Sequence, residues 1–456
     1  MKKMYSKDTN QPPHPSPLLE QIFASPEVCK RIASFLPNND LKSLLETSHI
    51  CYRTCLPLLY ETLEMWDVPA ESSTPNLTKY GHLVKTLRLH HVGFTTARHL
   101  LWNTPCLHHL DLSRTTLDGQ QLKQILLEAP STLTHVSIRL TPNSKSTGGP
   151  CWNPEMLIHS TSHLSKLQNL SIEAQNTIVH VDDVLRVLRA NPQVISLHFS
   201  SIKLESSPSG AITPYTGFVP ISDTAPTLLI GRRLQDLGLH DVKISDEAML
   251  RLLGIPIEMD PDTVMDTTEQ AHALAQLTVA SDGPTYRSGI RIFQQCQQLD
   301  RVDLQHTNMA TLELFQGEFE WPGSKSIKAL SLDIKHSLMG QQHHHDLDQA
   351  WKDNIPIFIT EEQEQIYEHL STMTSLRHIV LSGYPIDTAA IRDMSFATEL
   401  QLGHVSITHG RFASMGYNNW RHEIDHWAYN HRETKWHFVL PGHGRAVTFR
   451  FGASKD

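Results

Sequence analysis

Residues Leu107 to Leu117 read LHHLDLSRTTL. Leu107, Leu110 and Leu112 form an L-x-x-L-x-L frame, and Leu117 closes it. Side chains alternate along an extended chain. Leu110 and Leu112 therefore share one face of a short strand, and His109, Asp111 and Ser113 share the other. One such strand cannot bury its apolar face alone, so the frame has meaning only if it recurs. It does recur. LQDLGLHDVKI starts at Leu234, LDRVDLQHTNM at Leu299 and LRHIVLSGYPI at Leu376. Looser copies start at Leu83, Leu133, Leu167, Val194, Leu274, Ile327 and Phe396.

The first apolar anchors of these pairs fall at 87, 110, 136, 170, 197, 237, 277, 302, 330, 379 and 400. Most gaps are close to the roughly 20–29 residues of leucine-rich repeats. The gaps after 136, 197, 237 and 330 are longer and carry polar insertions, among them 140–154, 205–226, 255–269 and 340–349. Helical patterning fills the space between strands. DGQQLKQILLEAP sets Leu122, Ile125, Leu126 and Ala129 on one face. HVDDVLRVLRANP, DEAMLRLLG, GIRIFQQCQQ and EEQEQIYEHLSTM follow the same rule. The expected fold class is α/β, a leucine-rich-repeat solenoid over residues 80–407, with a parallel sheet on its concave side and helices on its convex side. A doubly wound α/β domain is the alternative, but no glycine-rich phosphate loop accompanies the strands.

Bulk properties narrow the function. At 456 residues the chain exceeds what one hydrophobic core supports. A net charge of -9 without a Lys/Arg run argues against nucleic acid or an anionic membrane as partner. Residues 1–24 read as a disordered tail without the apolar core of a signal peptide, and no apolar run is long enough to span a bilayer. Together these point to cytoplasm, nucleus or both. The six cysteines show no C-x-x-C and read as buried thiols.

Residues 25–66 lack the repeat frame. Ser25 caps a helix that begins at Pro26, with Val28, Ile32, Phe35 and Leu36 as its apolar stripe. Pro37 breaks it, Asp40 starts a second helix with Leu41, and a third spans about Ser48 to Leu56, with Pro57 opening a further turn. This segment resembles the F-box. Pro26, Glu27, Val28, Ile32, Phe35, Leu36, Asp40 and Leu41 match that motif in order and spacing, and CLPLLYETL resembles the closing segment of many fungal members. Ser25 stands where the family usually has Leu. The resemblance covers residues 25–63. It implies a small all-α domain that docks the adaptor of SCF-type cullin ubiquitin ligases, with Pro26, Glu27, Val28, Ile32, Leu36, Asp40 and Leu41 as contacts. It also implies that the repeats hold an unidentified protein substrate and that the transfer chemistry lies in other subunits. The chain is then a non-enzymatic receptor without cofactor. A repeat scaffold with no ligase association is the alternative.

Polar residues beside the anchors supply the candidate substrate surface: Arg88, Asp111, Arg139, Glu173, His198, Asp236, Arg301 and Asp303. Their mixed signs suit protein recognition better than a nucleic-acid track. Residues 408–456 read as a cap of helix plus hairpin. They include HEIDH at 422–426, a match to the H-E-x-x-H of zinc proteases. On one helix, however, Trp420, Ile424, Trp427 and His431 share a face, and His422 and His426 lie opposite. The three imidazoles cannot converge, and no metal site is expected. HHH at 343–345 reads as a solvated loop.

Overall fold

The computed structural model describes residues 25–66, 77–140, 153–206, 230–256, 272–281, 283–305, 307–315, 321, 323–333, 366, 369–370, 373–382, 404–408, 435–439 and 446–449. The chain divides into two compact units, Met1–Thr115 with Glu128–Leu133, and Thr116–Leu127 with Thr134–Asp456.

Among its described residues the first unit begins with three helices: α1 (Pro26–Ala33), α2 (Asn38–Leu45) and α3 (His49–Glu61). The Ser25 hydroxyl accepts from the Val28 amide at 3.5 Å, and Pro26 takes a first-turn position whose amide needs no partner. Ser48 caps α3 in the same way, accepting from the Cys51 amide at 3.1 Å. Cys29, Ala33, Leu41, Leu44, Cys51 and Cys55 form the core of this bundle, with Leu36, Leu45, Leu58 and Leu59 packed on it. The sequence suggested a break at Pro57. Instead α3 runs through it, and the chain turns into β1 (Thr62–Trp66), which pairs parallel with β2 (Thr86–His90). β2 pairs with β3 (His109–Arg114). Leu63, Leu87 and Leu110 stand in register, so Leu63-x-Met65 is an apolar pair hidden against the end of a helix. A helix over Phe94–Trp102, α4 here, connects β2 to β3.

In the second unit α5 (Gly119–Glu128) precedes β4 (His135–Leu140), whose ladder continues through β5 (Asn169–His180), β6 (Ser196–Glu205) and β7 (Asp236–His240). A short strand, β8 (Lys243–Ile244), pairs with the far end of β6. From β7 the ladder passes to β9 (Gln276–Ala280), β10 (Arg301–Leu304), β11 (Ala329–Asp333), β12 (His378–Ser382), β13 (His404–Thr408) and β14 (Lys435–Val439), all parallel. β15 (Ala446–Phe449) closes it as the antiparallel arm of a hairpin.

The anchors from Val136 to Ile379 are in register strand to strand and at most 2% exposed. One register differs from expectation. Ile379 faces Val405, so Val405-x-Ile407 is the next pair, and Leu400 lies outside the described residues. The helices α6 (Pro154–Thr161), α7 (Val181–Ala190), α8 (Asp246–Leu253) and α9 (Tyr286–Gln295) pack each on the next.

Two backbone devices recur in both units. At most strand starts among the described residues, one carbonyl accepts two consecutive amides of the following repeat. Lys85 receives His108 and His109, and Gln168 receives Ile195 and Ser196. Ile195, Gln235, Ala275, Asp300 and Lys328 each do the same for the repeat that follows. Just past the ends of β2 and β7, His91 and Asp241 adopt positive φ of 57° and 52°, and within β6 Ser201 adopts 58°, where the β5–β6 register shifts. Each sits two residues past the second anchor. At His91 and Asp241 the left-handed residue ends the strand, and their amides donate to Arg114 and Ala280 of the neighbouring strand, whereas β6 continues past Ser201 to Glu205. Repeated parallel strands with packed connecting helices make the fold an α/β leucine-rich-repeat solenoid preceded by a small all-α bundle.

Candidate functional site

The anchors point into the core, so the residues between and beside them form the opposite face of the sheet. On the second unit β6 and β7 bring His198 and Asp236 together. The His198 Nε2 lies 2.8 Å from Asp236 Oδ2 and 3.2 Å from Ser196 Oγ, while the Ser196 hydroxyl donates to the same carboxylate oxygen at 2.8 Å. Burial by itself would push the Asp236 carboxyl up. The His198 hydrogen bond and charge, the Ser196 hydroxyl and the Arg301 charge outweigh it and hold the carboxyl below its ordinary value. Although Ser, His and Asp meet here, the hydroxyl and carboxylate compete for one imidazole nitrogen. In a nucleophilic triad they occupy opposite nitrogens. The cluster is therefore a polar recognition spot rather than an activated serine. Gly238 lies beneath the ring: a Cβ there would collide with His198 Nδ1.

The other residues expected on this face fall into three arrangements. Arg139 and Glu173 pair across β4 and β5 at 3.3 Å. Asp303 accepts the Gln305 amide at 3.2 Å, and the Gln305 side chain donates to Ser331 at 2.5 Å. Arg301 is exposed, in register with Gln276 on β9, as Asp236 also is. Between these groups the face carries small uncharged side chains: Ser137, Ser171 and Thr278. It is a hydrogen-bonding surface with few free charges, unlike a track built for phosphates.

On the first unit Arg88 stands between Glu64 and Asp111 in register, and Asp111 accepts from the Ser113 amide at 2.9 Å and hydroxyl at 2.6 Å. Beside them the 55% exposed Trp66 stacks on the buried His90 at 4.0 Å, with the Arg114 guanidinium 5.9 Å from the Trp66 ring. Glu64 Oε1 lies 2.9 Å from His90 Nε2 without hydrogen-bond alignment. Sequence reading missed Trp66, because β1 was not recognised as a strand. It missed Ser196 and Gly238 because neither residue type carries a signal at that position.

The N-terminal helices distribute the residues assigned by the resemblance differently. Val28 is 39% and Phe35 80% exposed. Pro26, Glu27 and Asp40 are exposed, Ile32 is half-buried, Leu36 packs on the bundle core, and Leu41 is 3% exposed within that core. Phe35, part of the matched pattern but not assigned as a contact, is the most prominent apolar side chain. Among the described residues no set of His, Cys, Asp and Glu is arranged to hold a metal ion, and no helix is long and apolar enough to cross a membrane. His422, His426 and His431 lie outside the described residues, as do His343, His344 and His345.

No family model matches the chain, and no curated protein matches it. Among solved structures, one similar chain comes from the Rad7–Elc1 complex of yeast. It is 12% identical over 86% of this chain and 89% of that one, with a TM-score of 0.30. Another is the leucine-rich-repeat protein LegL7 from Legionella pneumophila, 14% identical over 75% of this chain and 97% of that one, with a TM-score of 0.33. Likenesses this weak carry no argument, and the fold assignment stands on the strand ladder.

Proposed function

We propose that this chain is the substrate-recognition subunit of an SCF-type cullin ubiquitin ligase. The N-terminal helices dock the adaptor, the polar sheet face binds a target protein, and the chain itself is not an enzyme and uses no cofactor. The observation that carries this reading is the pairing of motif and exposure. The residues of α1, α2 and the turn between them match the F-box pattern, and α1 and that turn leave Val28 and Phe35 in solvent, although a bundle this small gains by covering them. Leu36 and Leu41 serve the bundle core in this arrangement, so docking falls to Val28, Ile32 and Phe35, with Pro26 and Glu27 beside them. Ser25 caps α1, a role that compensates for the apolar contact the usual Leu would make.

Removing residues up to 76 would also delete β1, so point variants give the cleaner test. Phe35→Ala with Val28→Ala should abolish co-purification with the adaptor while the helical signal and melting profile stay unchanged. Retained adaptor binding in that variant would contradict the docking assignment. A folded wild-type chain that binds no adaptor would leave the ligase-free repeat scaffold as the better account.

A further inference from the structure

Away from the two surfaces, the core of the N-terminal helices concentrates nucleophilic side chains. Cys29 on α1 and Cys51 and Cys55 on α3 are all fully buried and reduced. α1 packs directly on α3, and the Cys29 and Cys51 sulfurs lie 3.9 Å apart. A disulfide needs about 2.05 Å between sulfurs, so closure requires the two sulfurs to approach by roughly 2 Å more.

Their surroundings are unequal. Cys51 occupies the first turn of α3. Burial alone would push its thiol up, but hydrogen bonds from Ser48 and Thr47, then Cys29 and its own amide, hold it below the ordinary value. Burial and the hydrogen bond with Cys51 push Cys29 up to about 11. One sulfur ionises more readily while its neighbour retains a proton, which is the division of labour that thiol oxidation requires.

We propose that Cys29 and Cys51 are a redox pair, closed by a peroxide to an intramolecular disulfide that ties α1 to α3. The Cys51 thiolate attacks one peroxide oxygen, and the O–O bond breaks. Hydroxide leaves as water after taking a proton, and Cys51 becomes a sulfenic acid. The Cys29 sulfur then attacks the Cys51 sulfur. The S–O bond breaks, and the departing hydroxide takes the Cys29 proton as a second water. Two thiols and one peroxide give one disulfide and two waters, and a dithiol reverses the change. Because both sulfurs are buried, oxidation proceeds through transient opening of the small bundle and should accelerate in mild denaturant. The bridge spans 22 positions across the Pro37 turn, and closing that loop restricts the unfolded chain, so the oxidised helices should melt several degrees higher. This inference rests on the bundle core and not on the ligase reading.

The test is peroxide treatment of the full-length chain, alkylation under denaturing conditions, and non-reducing peptide mapping. The expected result is a peptide joining Cys29 to Cys51, lighter by two hydrogens and released by dithiothreitol. It should be retained in Cys55→Ala and lost in Cys29→Ala, where dimedone instead labels Cys51. Mapping the wild-type chain needs no variant to fold. Recovery of Cys29 and Cys51 as unlinked alkylated or singly over-oxidised residues, or a bridge to a different cysteine, would overturn the proposal.

Discussion

Three N-terminal helices enclose six small or medium side chains and leave Val28, Phe35, Ile50 and Tyr52 as exposed large apolar groups. The whole second unit, among its described residues, exposes only Leu127 and Ile178 in that class. In that unit each repeat buries its anchors against the next, so stacking extends one core from strand to strand. A bundle of three short helices has no next repeat. Its surface-to-volume ratio leaves apolar area uncovered, and a partner is the natural cover. The second unit's open face, by contrast, is polar and partly bonded within itself, as at Arg139–Glu173 and His198–Asp236, which favours selective contact over burial.

Four predictions press on this contrast. The largest concerns the ladder. Leu237 is fully buried between Leu197 and Leu277, and Leu237→Ala should cost about 2–5 kcal/mol, read from the urea midpoint. A loss below 1 kcal/mol, on the order of a surface change, would mean that neighbouring repeats do not share one continuous core.

Acid should strike the second unit next. His272 is buried, and burial followed by the Arg232 charge lowers its pKa to about 4. The unfolded chain therefore binds a proton that the fold refuses. Stability should fall as pH drops from about 6.5 towards 4, by up to roughly 3 kcal/mol. His272→Gln should flatten that limb of the pH–stability curve, and an unchanged slope would remove His272 as its cause. Asp236 acts in a different window. Its lowered carboxyl contributes stability above the ordinary carboxylate pKa and loses it as pH falls below about 4.

The third prediction separates stability from binding. Phe35→Ala should change stability by less than about 0.5 kcal/mol yet weaken adaptor binding by roughly thirtyfold, the effect of truncating one interface anchor worth about 2 kcal/mol. Calorimetry and a titration on the same sample distinguish the two. Leu41→Ala should show the reverse, a destabilised bundle, because Leu41 faces inward.

How much of this was legible can be traced to particular residues. Period-2 pairs such as Leu110-x-Leu112 and Leu237-x-Leu239 announce their strands, because only an extended chain brings them to one face. Leu63-x-Met65 escaped because it follows directly on an amphipathic helix that continues through Pro57. The last pair was misplaced from Val405 to Leu400 because FATELQLGHVSI offers two pairs in one stretch. The shared carbonyls at the strand starts are backbone features and leave no trace in side-chain pattern. The left-handed turns fall on His, Ser and Asp rather than Gly, so composition does not mark them. Of the recognition face, the positions were readable from alternation, but the joining of Ser196, His198 and Asp236 over Gly238 depends on strand order across residues 207–235, a connection that no local pattern encodes.

The fourth and smallest effect concerns affinity, and it leads to the decisive measurement. Ser25→Leu trades a helix cap for an apolar contact and should tighten adaptor binding by about 1 kcal/mol net. The central claim is that the N-terminal helices are a docking module and the repeats a separate recognition module. Titration of the purified full-length chain with the ligase adaptor tests it most directly. The account predicts a one-to-one complex that is lost with Phe35→Ala and Val28→Ala and is indifferent to Arg301→Glu on the sheet face. A folded chain that binds no adaptor, even with Ser25→Leu, or binding that depends on Arg301 rather than Phe35, would contradict it.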